Sequence, residues 1–129
     1  IVNNQTVLLR DVNDRPEILA KLQKDLVRIG VNPYYVFQCR PVKRVKSHFQ
    51  VPLAEGCRIV DETRGMLDGV SKRFRYAMSH EKGKIEILGA IGDEMFFKHQ
   101  QAKDPQDASR FFKRRLNESA GWLDELQEI

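Results

Sequence analysis

The side chains able to do chemistry are scattered along this 129-residue chain rather than gathered into a motif. Three histidines, His48, His80 and His99, stand too far apart for the close spacing of a metal-binding loop, and each reads as a satisfied or solvated ring. Cys39 and Cys57 make neither a metal spacing nor a disulfide framework, and fit a reducing, cytoplasmic setting. No metal ligands and no acid–base pair of carboxylates are expected from these positions. Lys84 ends the run His80-Glu81-Lys82-Gly83-Lys84, a turn entering a strand, where a lysine is ordinarily a solvated charge. Two basic runs carry much of the net charge of +4: Arg40, Lys43, Arg44 and Lys46, then Arg110, Lys113, Arg114 and Arg115. Such runs suit nucleic acid, phosphate or an acidic substrate, or else a solvated face or subunit contact, which composition alone favours.

The elements that must position these residues follow from periodicity. Charged residues at 31% and apolar ones at 41% describe an ordinary globular domain, long enough for one core. No apolar run nears the ~20 residues that span a bilayer, and the start lacks the features of a signal peptide. The chain opens directly on an apolar segment with no initiator Met, as expected of a segment of something larger. Val2 to Leu9 reads as a buried strand centred on Val7, Leu8 and Leu9. Asp14, Pro16 and Glu17 read as a capping box with proline in the first turn. Ile18, Leu19, Leu22, Leu26 and Ile29 then recur at helical spacing, and Gly30 is a suitable stop. Tyr34 to Gln38 is a second strand, and Leu53 to Leu67 a second helix burying Cys57, Val60 and Leu67. Two strand–helix units in tandem imply a parallel βαβα piece, with ligands gathering at the C-terminal strand ends near Arg10 and Arg40.

Beyond Gly69 the pattern changes to an α+β extension. Phe74 to Met78 is a strand, and Lys84 to Leu88 and Met95 to His99 form a hairpin about Gly92-Asp93. Arg110 to Leu116 fits a strand or a short helix, and Ala120 to Gln127 a terminal helix docking Trp122, Leu123 and Leu126. On these grounds alone the chain is a soluble α/β piece with a basic face.

Several segments resemble one family in order and spacing. Asn3-Asn4-Gln5-Thr6-Val7-Leu8-Leu9-Arg10-Asp11-Val12-Asn13-Asp14 is similar to the NNQxVLLxGVND segment of the lysine 2,3-aminomutase family. Asn32 to Cys39 resembles its RPYYxYQCD strand, Ser47 to Pro52 its SHFRVP, and Arg64-Gly65 its LRGxxSG helix end. Gly83-Lys84-Ile85 anchors the later match, with His80-Glu81-Lys82-Gly83 where the family has a glycine-rich GGGGKI turn. The tail, including His99 to Pro105 and Trp122 to Asp124, resembles a separate branch of the same family.

The resemblance implies a radical S-adenosylmethionine enzyme, an isomerase moving an amino group from C2 to C3 of an amino acid. Residues 1–70 would be the last two strand–helix units of a partial (β/α) barrel, and residues 71–129 a C-terminal extension. Implied cofactors are pyridoxal phosphate, S-adenosylmethionine and a [4Fe–4S] cluster whose CxxxCxxC ligands are expected upstream, so this chain alone would not turn over. Lys84 matches the lysine that anchors pyridoxal phosphate, since a lysine beside glycine can enter a closed site where desolvation favours the nucleophilic amine. Gln5 matches a residue that contacts S-adenosylmethionine. Arg40 replaces an aspartate that binds the side-chain ammonium in lysine-specific members, and Ala77 aligns with their second aspartate. That reversal favours a substrate with an acidic or neutral side chain, which Arg40 could grip as a fork, unless Arg40 turns away to a neighbouring carboxylate. The partners implied are a small amino acid and further copies of the chain, without membrane or nucleic acid. Two alternatives stay open: a relative acting on a lysine within a protein, and a basic nucleic-acid-binding module using Phe111, Phe112 and nearby arginines.

Overall fold

The computed structural model describes residues 1–129 and shows an α/β architecture built on one mixed six-stranded sheet. In chain order the elements are β1 (Val2–Leu8), α1 (Pro16–Arg28), β2 (Val31–Gln38), α2 (Val45–Phe49), α3 (Leu53–Gly65), β3 (Arg75–His80), β4 (Gly83–Ile91), β5 (Glu94–Ala102) and β6 (Phe111–Arg115). The strands lie in the order β1-β2-β3-β4-β5-β6. The first three are parallel, because α1 and α3 carry the chain back between them, and the last three are antiparallel. The sheet therefore runs unbroken across the division expected near residue 70.

Side chains alternate across each strand, and this alternation sorts the molecule into two faces. Leu8, Val36, Tyr76, Met78, Ile85, Ile87, Met95 and Phe97 point to the helical side, where Leu19, Leu53, Cys57 and Val60 complete one core. Their neighbours in sequence, among them Phe37, Ser79 and Lys84, face the other side, which α1 and α3 leave open. No helix of the chain is long and apolar enough to cross a membrane.

Three expectations need correction. The first strand is not buried: only Leu8 is fully enclosed and Val7 is exposed, because β1 is the outermost strand and pairs with β2 alone. Asp14 does not cap α1. Its carboxylate accepts from Asp11 N–H at 3.1 Å, while Asn13 bonds the backbone of Leu9 and Val7, so the loop is tied to β1 rather than to the helix. The terminal helix reduces to a single 3-10 turn, Leu123–Glu125. Trp122 is extended and buried, Glu128 bridges to Arg114, and Gly121 is held by side chains from elsewhere, so tertiary contacts outweigh a helix too short to be stable alone.

Candidate functional site

Gly83 fixes where Lys84 enters the sheet. Its φ of +124° suits glycine, and a Cβ there would strike the Gln101 carbonyl, so the hairpin can close at this point only without a side chain. Lys84 then lies directly across from Ser79 on β3. Its Nζ sits 4.5 Å from the Tyr35 ring centroid and 5.8 Å from that of Phe37, two rings stacked 4.9 Å apart. Lys84 belongs to no ion pair, so the cation–π attraction steadies the amine without fixing it to a carboxylate.

A cavity of about 490 Å³ opens on this face, lined by Gln5 and Val7 of β1, Phe37 to Arg40, Val42, Val45, Ser79 and Lys84. Residues singled out from three separate stretches of sequence thus meet around one space. Gln5 is exposed on its wall. Arg40 donates from Nη2 to Ser79 Oγ at 2.9 Å and pairs with no carboxylate, so it has not turned away from the cavity. Arg10, also at a strand end, pairs with Glu55 at 3.5 Å and lies outside the lining.

Beneath the loop that carries Arg40 is a buried amide network that the sequence did not announce. Gln38 Nε2 donates to the carbonyls of Val51 at 2.6 Å and Gly121 at 2.9 Å, and its Oε1 accepts from the Tyr76 hydroxyl. Gln50 Nε2 donates to Cys39 O at 2.8 Å and again to Gly121 O at 3.1 Å. Burial pushes the Tyr76 phenol well above its usual pKa, which keeps it a donor. The only hint in sequence is a glutamine ending an apolar strand. A second group lies deeper on the open face: Gln100 Nε2 donates to Glu86 Oε1 at 2.7 Å, and Arg75 donates to Gln100 Oε1. Its trace in sequence is the alternation that points Lys84 and Glu86 the same way.

His80 is buried beside this site, its ring stacked on Trp122 at 5.9 Å. Its Nδ1 accepts from Lys82 N–H, which leaves the proton on Nε2 to be donated to Asp124 at 2.6 Å. His80, Glu81 and Asp124 offer one donor atom each within 4.8 Å of one another, although the imidazole nitrogen facing Asp124 is already committed. His99 is also buried, with Nδ1 unpartnered, and burial lowers its pKa. His48 is exposed. The second basic run is matched by carboxylates throughout: Arg110 with Asp107, Lys113 with Glu94, Arg114 with Glu128 and Arg115 with Asp93.

The two thiols do not fit an iron–sulfur cluster. Both are buried and both are raised in pKa by that burial, Cys57 to about 12, and neither joins a group of side chains placed to share a metal.

No family model matches the chain. Among curated proteins, it is 41% identical to a protein of Aquifex aeolicus provisionally named L-lysine 2,3-aminomutase, across 99% of this chain and 34% of that protein. It is 41% identical to the L-lysine 2,3-aminomutase of Bacillus subtilis, across 92% of this chain and 28% of the relative. It is also 36% identical to the glutamate 2,3-aminomutase of Clostridioides difficile over 54% of this chain and 16% of that enzyme. The chain spans about a third or less of the length of these relatives. With identity of this order across nearly every residue, the chain belongs to the lysine 2,3-aminomutase family.

Proposed function

We propose that the intact protein is a radical 2,3-aminomutase, and that this chain is the C-terminal portion that anchors pyridoxal phosphate and selects the amino acid. The observation that carries the reading is the convergence of Gln5, Arg40 and Lys84 on one cavity of about 490 Å³. When bound, pyridoxal phosphate supplies an electrophilic carbonyl for the amino group, and S-adenosylmethionine with its cluster supplies the radical that removes a hydrogen.

The residues on hand fit the first two groups. Lys84 presents a primary amine to an open space, over aromatic rings and outside any ion pair. Gln5 offers an amide with no internal hydrogen bond at the cavity edge, suited to a nucleoside or amino-acid moiety. The cluster would belong to residues outside this chain, which has two cysteines and no CxxxCxxC run. Arg40, braced by Ser79, presents a planar cation where a carboxylate side chain could dock, which disfavours lysine through like-charge repulsion. The substrate class we propose is therefore an amino acid with an acidic or neutral side chain.

Product analysis on the intact-length protein tests this reading, with L-glutamate and L-lysine supplied separately. A β-amino acid should form from glutamate and far less from lysine. Efficient turnover of lysine would contradict the reversed charge, and turnover of no amino acid would contradict the aminomutase assignment.

A further inference from the structure

Lys84 follows a turn whose residues are poorly suited to turning. Between β3 and β4 the chain reverses over Glu81 and Lys82, with His80 directly opposite Gly83. A two-residue hairpin turn ordinarily places one or both central residues at positive φ, so that its twist matches the strands it joins. Neither Glu81 nor Lys82 does so, and only Gly83, just after them, has a positive φ, +124°. The strand on the far side gives Lys84 little help. Gly83 and Lys84 pair with Ala102 and Gln101, but the register then slips so that Ile85 faces His99. Gln100 is the extra residue of that bulge, and a bulge disrupts the ladder beside it. The aim of Lys84 therefore depends on β3 and on what holds the turn.

His80 holds it. Its Nδ1 accepts from the Lys82 N–H two residues on, at 3.1 Å, the bond that an asparagine side chain makes at the head of an Asx turn. The ring is fixed on two further sides, stacked on Trp122 at 5.9 Å and donating from Nε2 to Asp124 at 2.6 Å. The second bond governs the first. Only the neutral tautomer with its proton on Nε2 leaves a lone pair on Nδ1 for Lys82, and the Asp124 carboxylate selects that tautomer. Ser79, which accepts from Arg40, precedes His80 on β3 and lies directly across from Lys84. His80 itself does not line the open-face cavity. One buried ring thus stands behind the turn that delivers two of the cavity's side chains, without touching what the cavity would hold.

We infer that His80 is a positioning residue for Lys84, holding the β3–β4 turn through the Lys82 N–H, and that Asp124 sets the tautomer that lets it do so. This rests on the reading of Lys84 as the amine that captures pyridoxal phosphate. A tied turn keeps that amine in one place as the cofactor carbonyl approaches, whereas a loose turn spreads it over many and slows capture. Asp124, 44 positions further along the chain, thereby becomes part of the site's support.

The test measures how fast the intact-length apoprotein captures pyridoxal phosphate, read by stopped flow as growth of the visible cofactor band, with S-adenosylmethionine withheld so that no turnover occurs. Two substitutions separate the ring's two bonds. Asparagine can accept from the Lys82 N–H but cannot reach Asp124, while glutamine reaches toward Asp124 and has no acceptor placed for Lys82. Both lose the stack on Trp122, so His80→Asn and His80→Gln should lower the urea midpoint alike. Capture should slow about fivefold in His80→Gln, as loss of one hydrogen bond gives, and by less than about twofold in His80→Asn. Asp124→Ala alters a largely exposed side chain and leaves the ring in place, so it serves even if the ring variants do not fold. It should slow capture about threefold, part of the same hydrogen bond being lost. Capture at the parent rate in His80→Gln or Asp124→Ala overturns the inference. Equal slowing in the two His80 variants also overturns it, since a merely structural role would give that result. Lys84→Ala, run alongside, should gain no band. If it gains the parent's band, or the parent gains none, the reading of Lys84 falls and the inference with it.

Discussion

Gln38 shows how one side chain can hold a site that it does not serve chemically. Its amide joins the Val51 carbonyl, the Gly121 carbonyl and the Tyr76 hydroxyl, all within the protein interior, and so fixes the exit of β2 from which Arg40 extends. Replacing it by leucine would take this partner from the buried Val51 carbonyl and Tyr76 hydroxyl, while the Gly121 carbonyl keeps Gln50. Gln38→Leu should lower stability by about 2–4 kcal/mol, read from chemical denaturation, since each unsatisfied buried group costs roughly 1–3 kcal/mol. The partners explain why this residue was illegible in the sequence: Gln38 and Gly121 are 83 positions apart. Arg40 and Lys84 differ in that respect. Each is unremarkable locally, and each became readable through the resemblance of surrounding segments. The hydrogen-bonded group of Glu86, Gln100 and Arg75 had no such support, because it forms across three neighbouring strands.

Elements were legible where their signal is local. The spacing of Leu19, Leu22 and Leu26 marks α1, and Gly30, at φ +83°, ends it as the sequence implied. A Cβ at Gly30 would meet nothing within 4 Å, so Gly30→Ala isolates backbone strain from packing. We expect a loss of about 1 kcal/mol, measured by thermal or urea unfolding, with the cavity undisturbed. The β4–β5 hairpin turns at Gly92-Asp93 for an equally local reason. The tail was not legible, because its apolar spacing satisfies a helix while its real partners lie elsewhere. Ala120, Trp122, Leu123 and Leu126 enter the common core, and His80 and Lys46 tie down Asp124 and Glu125. The short α2 was missed within a loop read only as basic, since Val45–Phe49 is a single turn or so without buried residues.

At the scale of the whole molecule, one sheet divides structural work from chemical work: α1, α3 and the main core on one face, the cavity with Gln5, Arg40 and Lys84 on the other. The core face includes His99, whose burial lowers its pKa below the ordinary 6.5, while the nearby Asp107 carboxylate opposes that shift. The unfolded chain takes up a proton that the folded ring resists. Stability is therefore full above about pH 6.5 and falls as the pH drops through that value toward the folded pKa. Asp25 and Asp68, both lowered from 3.8, contribute above that value and lose their contribution only in more acidic solution, as pH falls through their folded pKa values. Urea midpoints should thus decline as the pH falls below about 6.5, and His99→Gln should flatten the decline. The chemical face turns on whether Lys84 is the anchoring amine. Borohydride reduction of the intact-length protein with pyridoxal phosphate, followed by peptide mass mapping, answers this most directly. The account predicts a pyridoxyl group on Lys84 and loss of the visible cofactor band in Lys84→Ala. A pyridoxyl group on another lysine, with the band intact in Lys84→Ala, would contradict it.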